Sequence, residues 1–360
     1  MKLIRKTVFL LILVCISVAI KLYSLQPMMV ETGYSTQYFP AFGNILRQLF
    51  GWIPFSIGDV LYALLLCRAL YVLYKLSKKL VSKQFFSAST LKRIAIRGLL
   101  CLTLLYIVFN LFWGINYNRK GIAWQLGLPT LQYDAAELVM MNQLLLQKVN
   151  GSKASLLHTN EAYPSPKHLF QKVDKAYGKL ALQHPFLRYE YASLKRSMWG
   201  WLGNYAGFTG YYNPFTGEAQ VNANVPRFLQ PFTTCHEVAH QLGYAKEMEA
   251  NFVGYLAASQ SEDTLLHYSV YLDLFTYANR NLFMKDSTAA KKIRNMLSAP
   301  VKHDLKEWME FNEKHKSFVE PIVRWGYGIF LRNNEQPQGM LSYDEVTGFL
   351  IAYYKKHKRI

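Results

Sequence analysis

Cysteine is scarce in this sequence, and acidic residues are scarcest where apolar ones are densest. Only four cysteines occur in 360 residues. Cys15, Cys67 and Cys101 lie inside apolar runs and read as small hydrophobes, while Cys235 directly precedes a histidine. No paired spacing marks a disulfide framework or a cysteine-based zinc module. No internal repeat or low-complexity tract is present, which excludes solenoids and arrays. Residues 1–116 hold just two acids, Glu31 and Asp59, beside 13 of the 41 Lys and Arg. Much of the +18 net charge thus sits beside apolar spans, where it acts as a topology signal. No zinc-finger or RNA-binding signature accompanies it, so no nucleic-acid partner is expected.

The chain is 51% hydrophobic and 15% aromatic, a composition suited to a membrane protein with interfacial Trp and Tyr. Residues 7–25, 54–75 and 98–115 each approach the ~20 residues needed to cross the hydrocarbon core. A cleaved signal peptide is the competing reading of 7–25. No small-x-small cleavage site follows, and two more apolar segments come close behind, so a retained transmembrane helix is expected. Asp59 and Arg68 interrupt the second span. Asp59 falls near an interface, and Arg68 is expected to face a neighbouring helix or to snorkel.

Lys2, Arg5 and Lys6 precede the first span, and Lys75, Lys78, Lys79, Lys83, Lys92, Arg93 and Arg97 separate the second from the third. Only Arg47 lies between the first two. The positive-inside rule then puts the N-terminus and the second loop in the cytoplasm, and everything after about residue 116 outside the cytoplasmic membrane. The expected domains are a membrane region, 1–116, and an extracytoplasmic domain, 117–360.

Past a connector at 117–131, helices are expected over 133–149, where Asp134 and Glu137 form a capping box, and over 166–182, opened by Ser165-Pro166. A loop is expected between them. Residues 186–225 are rich in Tyr, Trp and Gly and read as hairpin or short-sheet material, ended by Pro226 and Pro231. Helices follow at 233–243, 246–259, 263–284, 286–297, 303–314, 317–331 and 343–356. The fold class is mainly α, three transmembrane helices followed by an α+β domain with a small sheet.

The chemistry lies in Cys235-His236-Glu237-Val238-Ala239-His240-Gln241-Leu242-Gly243, an H-E-x-x-H motif. On a helix, positions i and i+4 share one face a turn apart, so His236 and His240 reach one Zn²⁺. Glu237, one residue round, faces a metal-bound water as catalytic base. Gly243 then stops the helix. The competing reading is two surface histidines and an exposed Glu. A third ligand is required, and Lys246-Glu247-Met248-Glu249-Ala250-Asn251 supplies two candidates. Glu247 is favoured, because Asn251 four residues on shares its face and can orient a ligand histidine from behind. Glu249 is the alternative. Position 246, where a metzincin would carry His, is Lys246.

H-E-x-x-H followed by a Glu-x-x-x-Asn helix resembles the gluzincin branch of zinc peptidases. The stretch from Lys246 to Asn251 is similar to the Arg-Glu-x-x-Ala-Asp stretch of its membrane-bound members, with Asn251 in place of Asp. That resemblance implies Glu247 as third ligand. Over nearly its whole length the chain resembles an uncharacterised bacterial membrane-protein family, domain of unknown function 3810. The shared features are the N-terminal spans, NPFTGEAQVN (213–222), HEVAHQLG (236–243), and EANF (249–252) with Tyr255-Leu256-Ala257. This implies a zincin-like domain and, with the charge pattern, a multi-pass protein of the inner membrane with its large domain in the periplasm.

Residues 218–225 are a candidate strand edge for substrate backbone. Asn213, Glu218 and Asn222 are candidate substrate contacts or turn-holding residues. His267, Tyr268 and Tyr343 are candidate transition-state donors, each also readable as packed or surface residues. His303 and His315 lie in charged helices and read as solvated. The expected function is zinc-dependent hydrolysis of envelope peptides or proteins by a bilayer-tethered metallopeptidase. The alternative is a non-catalytic membrane scaffold or sensor with a structural zinc.

Overall fold

The computed structural model describes residues 2–81, 88–129, 131–159 and 162–360. The apolar runs form α1 (Lys2–Ser24), then, after α2 (Pro27–Met29), a π-helical stretch Val30–Tyr38 and α3 (Phe39–Phe50), the long helices α4 (Ile57–Val81) and α5 (Ala88–Phe112). Three stretches are long and apolar enough to cross a membrane: Thr7–Ser24, Ile57–Val81 and Thr90–Phe112. Their residues face outward, with only 11–17% of each buried inside the protein. The third ends at Phe112, not at 115, because Trp113 leaves helical backbone and Gly114–Asn118 tighten into a buried 3₁₀ turn. Arg68 faces outward and lies over Tyr71 of its own helix, 5.6 Å from the ring centroid, so it does not bridge to a neighbouring helix. Lys83, counted in the basic loop, lies outside the described residues.

The loop expected between the first two spans is helical, and α3 within it is amphipathic at helical period. It is tied by buried charge to residues far along the chain. Glu31, 1% exposed, accepts two hydrogen bonds from Arg119, at 3.0 and 2.7 Å, and others from the Gly121 N–H and Gln125. Arg47, also buried, donates to the carbonyls of Glu190 and Gln241. It also donates to Asn44 Oδ1 of its own helix, so its partners are carbonyl and amide oxygens, which no charge pattern reveals.

Beyond the spans lie α6 (Ile122–Gln125), α7 (Ala135–Thr159), α8 (Pro166–Gln183), β1 (Leu194–Arg196), α9 (Gly200–Ala206), β2 (Gly210–Asn213), β3 (Glu218–Val221), α10 (Gln230–Gln241), α11 (Glu247–Gln260), α12 (Thr264–Lys285), α13 (Ser287–Asn295), α14 (Ala299–Lys314), α15 (Val319–Asn333) and α16 (Val346–His357). The main core joins Leu138, Met141, Leu145 and Val149 of α7 to α12, and α10 to α11, around fully buried Tyr177, Tyr255, Phe252 and Phe275. The capping box at Asp134 and Glu137 is present, with both reciprocal bonds. α7 runs on to Thr159, through residues that read as loop. Asn150 holds Met296 O and Ser298 N with its side chain, and Ser152 bonds back to Lys148 O, so these residues find partners without breaking the helix. Asn160 and Glu161 of that expected loop lie outside the described residues. α10 starts three residues early, because Pro231 occupies its first turn, where a missing N–H costs nothing.

The sheet has the order β1-β3-β2, with β3 parallel to β1 and antiparallel to β2. β3 is therefore central and fully paired, and residues 218–225 cannot be the free edge expected of them; β2 is an edge. Glu218 is spoken for as well. Its buried carboxylate accepts from the N–H groups of Ile57 and Gly58 and from Ser56 and Thr216. It thereby caps the positive end of α4 from another element.

Replacing Glu31 with Ala leaves the Arg119 guanidinium buried without a counter-charge. The expected destabilisation is roughly 3–5 kcal/mol by denaturant titration in detergent, with a smaller loss in the double variant Glu31→Ala/Arg119→Met. Asp273 supplies a pH signature, since burial pushes its carboxyl up to about 8. The folded state then holds a proton that the unfolded chain releases near pH 4. Its stabilising contribution is complete at low pH and is lost as pH rises from about 4 to about 8. Asp273→Asn should flatten that decline in melting temperature.

Candidate metal centre

α10 carries His236 and His240 one turn apart, with their rings perpendicular and centroids 4.6 Å apart. Each ring is fixed from behind. His236 Nδ1 lies 2.7 Å from Asn251 Oδ1, and His240 Nδ1 lies 2.8 Å from the carbonyl of Tyr244. A carbonyl only accepts, so His240 carries its proton on Nδ1. Asn251 Nδ2 donates to Tyr343 O at 3.3 Å, which turns its amide oxygen to His236 and fixes the same tautomer there. Both Nε2 lone pairs are left pointing forward.

The turn after α10 makes this possible. Gly243 has φ +87°, and a Cβ there would stand 2.9 Å from Phe39. The left-handed residue swings Tyr244 O back onto His240. Arg119 donates to Gly243 O at 3.2 Å and lies over the Tyr244 ring, and Tyr244 donates its hydroxyl proton to Gln125.

Glu247 opens α11, its N–H held by Gln336 Oε1 at 2.9 Å. Its Oε2 lies 3.2 Å from His236 Nε2 and 3.5 Å from His240 Nε2. Among the described residues these three form the one group of His, Cys, Asp and Glu able to hold a metal ion, with ligand atoms within 4.8 Å of one another. Glu247 Oε1 accepts from Tyr327. Burial opposes its charge, but the two imidazoles hold it well below the usual carboxylate range. Burial works against a charge on His240 too, yet Glu247 and Glu237 lift it to about 9. Glu247 Oε2 has no hydrogen-bond donor and is buried. Both Nδ1 positions are turned to acceptors behind the rings, so the two Nε2 atoms and Glu247 Oε2 converge on one point that calls for a positive charge, supplied by a metal ion or, without one, by the proton that Glu247 favours on His240.

Glu237 is 4% exposed, and its Oε2 also lacks a donor. Its other oxygen lies against Gly210 of β2, where a Cβ would come within 2.6 Å. Burial pushes the carboxyl up to about 7, with His236 and His240 pulling down and Glu247 pushing up. Tyr343 joins the site. Its ring lies nearly parallel to that of His236, with centroids 6.2 Å apart.

The other candidates lie elsewhere. The Glu249 carboxylate is buried against Gly121, beside Arg119 and Glu31, and takes no part in the cluster. Tyr268 donates to Asp304, which also binds Lys153. His267 packs against Tyr271. Asn213 forms a turn with the Phe215 N–H, and Asn222 bonds Asn204 and the Asn224 N–H, so both hold loops in place. His315 is sandwiched with Phe311 and Tyr205, and His303 lines a cavity of about 820 Å³ with Lys153 and Arg227. Sequence reasoning missed Tyr327, Gln336 and Trp113, whose indole meets His240 edge-on at 5.8 Å. No spacing rule links residues so distant.

Gly243→Ala should cost roughly 1–3 kcal/mol in thermal or denaturant stability through left-handed strain alone. Gly98→Ala, whose added methyl meets nothing within 4 Å, is the matched control and should leave stability within a few tenths of a kcal/mol of wild type or slightly above it.

No curated protein and no solved structure matches this sequence. Residues 34–351 match a family model described as a protein of unknown function, DUF3810. That span runs from the π-helical segment to the last helix and takes in every residue of the cluster, and the chain accordingly belongs to the DUF3810 family.

Proposed function

We propose that the protein is a membrane-tethered, zinc-dependent hydrolase, a zincin-like peptidase that cleaves peptide bonds in the cell envelope. The observation that carries this reading is the convergence of His236, His240 and Glu247 on one point, with the unpartnered Glu237 carboxylate one residue round the same helix. Two histidines and one carboxylate leave a fourth position open, as catalytic zinc requires. Zinc held there would supply Lewis acidity and a water of lowered pKa. Glu237 then accepts the proton of the attacking water and hands it to the leaving amine. Asn251 and the Tyr244 carbonyl keep both imidazoles in the ligating tautomer. Tyr343, whose ring lies beside His236, is a phenol placed to donate to a substrate carbonyl oxygen. The Lys and Arg distribution supports a cytoplasmic loop between α4 and α5, and so a periplasmic metal domain in a bacterial inner membrane.

The full-length protein, purified in detergent, should carry one zinc per chain by elemental analysis, and His240→Ala should lose it. Asn251→Ala should weaken zinc affinity about 10–100-fold. Glu237→Gln should keep its zinc and lose about 10²–10⁴-fold in hydrolysis of an envelope-derived peptide pool. Unchanged turnover in Glu237→Gln would remove Glu237 as the base, and a zinc-loaded wild type that hydrolyses nothing in the pool would return the site to a structural, scaffold-type zinc.

A further inference from the structure

One face of the globular part is apolar, aromatic and uncovered. α9 presents Trp201 outward, 56% exposed, with Leu202 and Tyr205 beside it. Along α15, Phe318, Ile322 and Trp325 are 84%, 62% and 68% exposed, and their spacing of four and three puts them on one stripe of the helix. Val319 and Val323 widen the stripe. The charges of these turns are turned aside, with Glu320 packed against Gly207 beyond α9 and paired with Arg324 at 2.7 Å.

The position of this face says what covers it. At one end, the Met198 N–H and the Trp199 indole donate to Asp59 in the first turn of α4. At the other, Phe330 of α15 meets Phe109 in the last turn of α5, with ring centroids 6.0 Å apart. α4 and α5 are consecutive crossings, so the start of one and the end of the other lie on the same side of the membrane. The start of α9 and the C-terminal end of α15 are therefore anchored at the level where the spans leave the hydrocarbon. Trp and Tyr concentrate at that level, and amphipathic helices lie in its plane. Trp52 and Phe55, exposed just before α4, continue the same belt. The metal centre adjoins it, because Trp113, directly after α5, touches His240, and Tyr327 of α15 bonds Glu247.

We propose that the α9–α15 face is immersed in the headgroup–acyl boundary of the bilayer. The centre formed by His236, His240 and Glu247 then works at that surface, on the juxtamembrane stretch of a membrane-anchored peptide chain. The second statement rests on the hydrolase reading; the first does not. The test uses the full-length chain in phosphatidylcholine vesicles brominated on the acyl chain near the headgroup. Trp325→Phe and Trp201→Phe should each lower the bromine-quenched share of tryptophan fluorescence. Trp308→Phe, which removes an indole packed on the core, should not. An unchanged share in Trp325→Phe overturns the immersion, whether the face meets water or a second copy trapped by crosslinking. Phe318→Ser/Ile322→Ser should slow cleavage of a membrane-anchored peptide at least fivefold more than cleavage of the same peptide in solution. Equal loss on both overturns the choice of substrate. If the wild type cleaves neither, the hydrolase reading and the substrate choice fall together, while quenching still decides the immersion.

Discussion

Arg119 is the residue on which the arrangement turns. Its guanidinium binds the Glu31 carboxylate through two nitrogens, donates to the carbonyl of Gly243 and lies over the Tyr244 ring. One buried cation thus joins the segment after the first span, the connector after the third, and the turn that ends the H-E-x-x-H helix. Only an arginine does this, because its planar fork offers donors in several directions at once. A buried ion pair is weak evidence for net stability, but losing one partner is costly, so the pair fixes which geometry is allowed. Here that geometry is the Gly243 turn, and the turn sets the His240 tautomer.

The three long apolar helices and the layer that carries the His236–His240–Glu247 cluster are consequently tied to one another. Glu218 of the sheet caps α4, Asp59 of α4 accepts from the start of α9, and Trp113 at the end of α5 touches His240. Each contact joins the end of a spanning helix to the layer that carries the ligands. A tether alone would need none of them. In the membrane-tethered reading proposed above, such coupling would set the height of the cluster above the bilayer.

Inside the site, proton placement matters as much as ligand placement. Two imidazoles whose Nδ1 protons were free would adopt either tautomer, and three of the four resulting states would point at least one N–H at the shared position. Asn251 and the Tyr244 carbonyl remove that freedom, and Tyr327 with Gln336 does the same for the carboxylate. Gly210 matters for a different reason, since any side chain there would displace Glu237.

The three spans, the capping box at Asp134, the Pro166 helix start and the His–Glu–His spacing were legible in the sequence, because each depends on residues within a turn or two of one another. The choice of Glu247 over Glu249 was half legible. Asn251 gave the signal, but burial of Glu249 against Gly121 is what removed the alternative. The amphipathic pattern of Phe39–Phe50 was readable in the sequence, but the π-helical stretch before it, the central position of β3, and the parts played by Arg119, Tyr327 and Trp113 were decided only in three dimensions. Their partners lie 80 or more residues away, or are backbone carbonyls that look alike in every sequence. Periodicity reports which face of an element is apolar; which buried charge meets which, across the whole chain, is settled only when the elements pack.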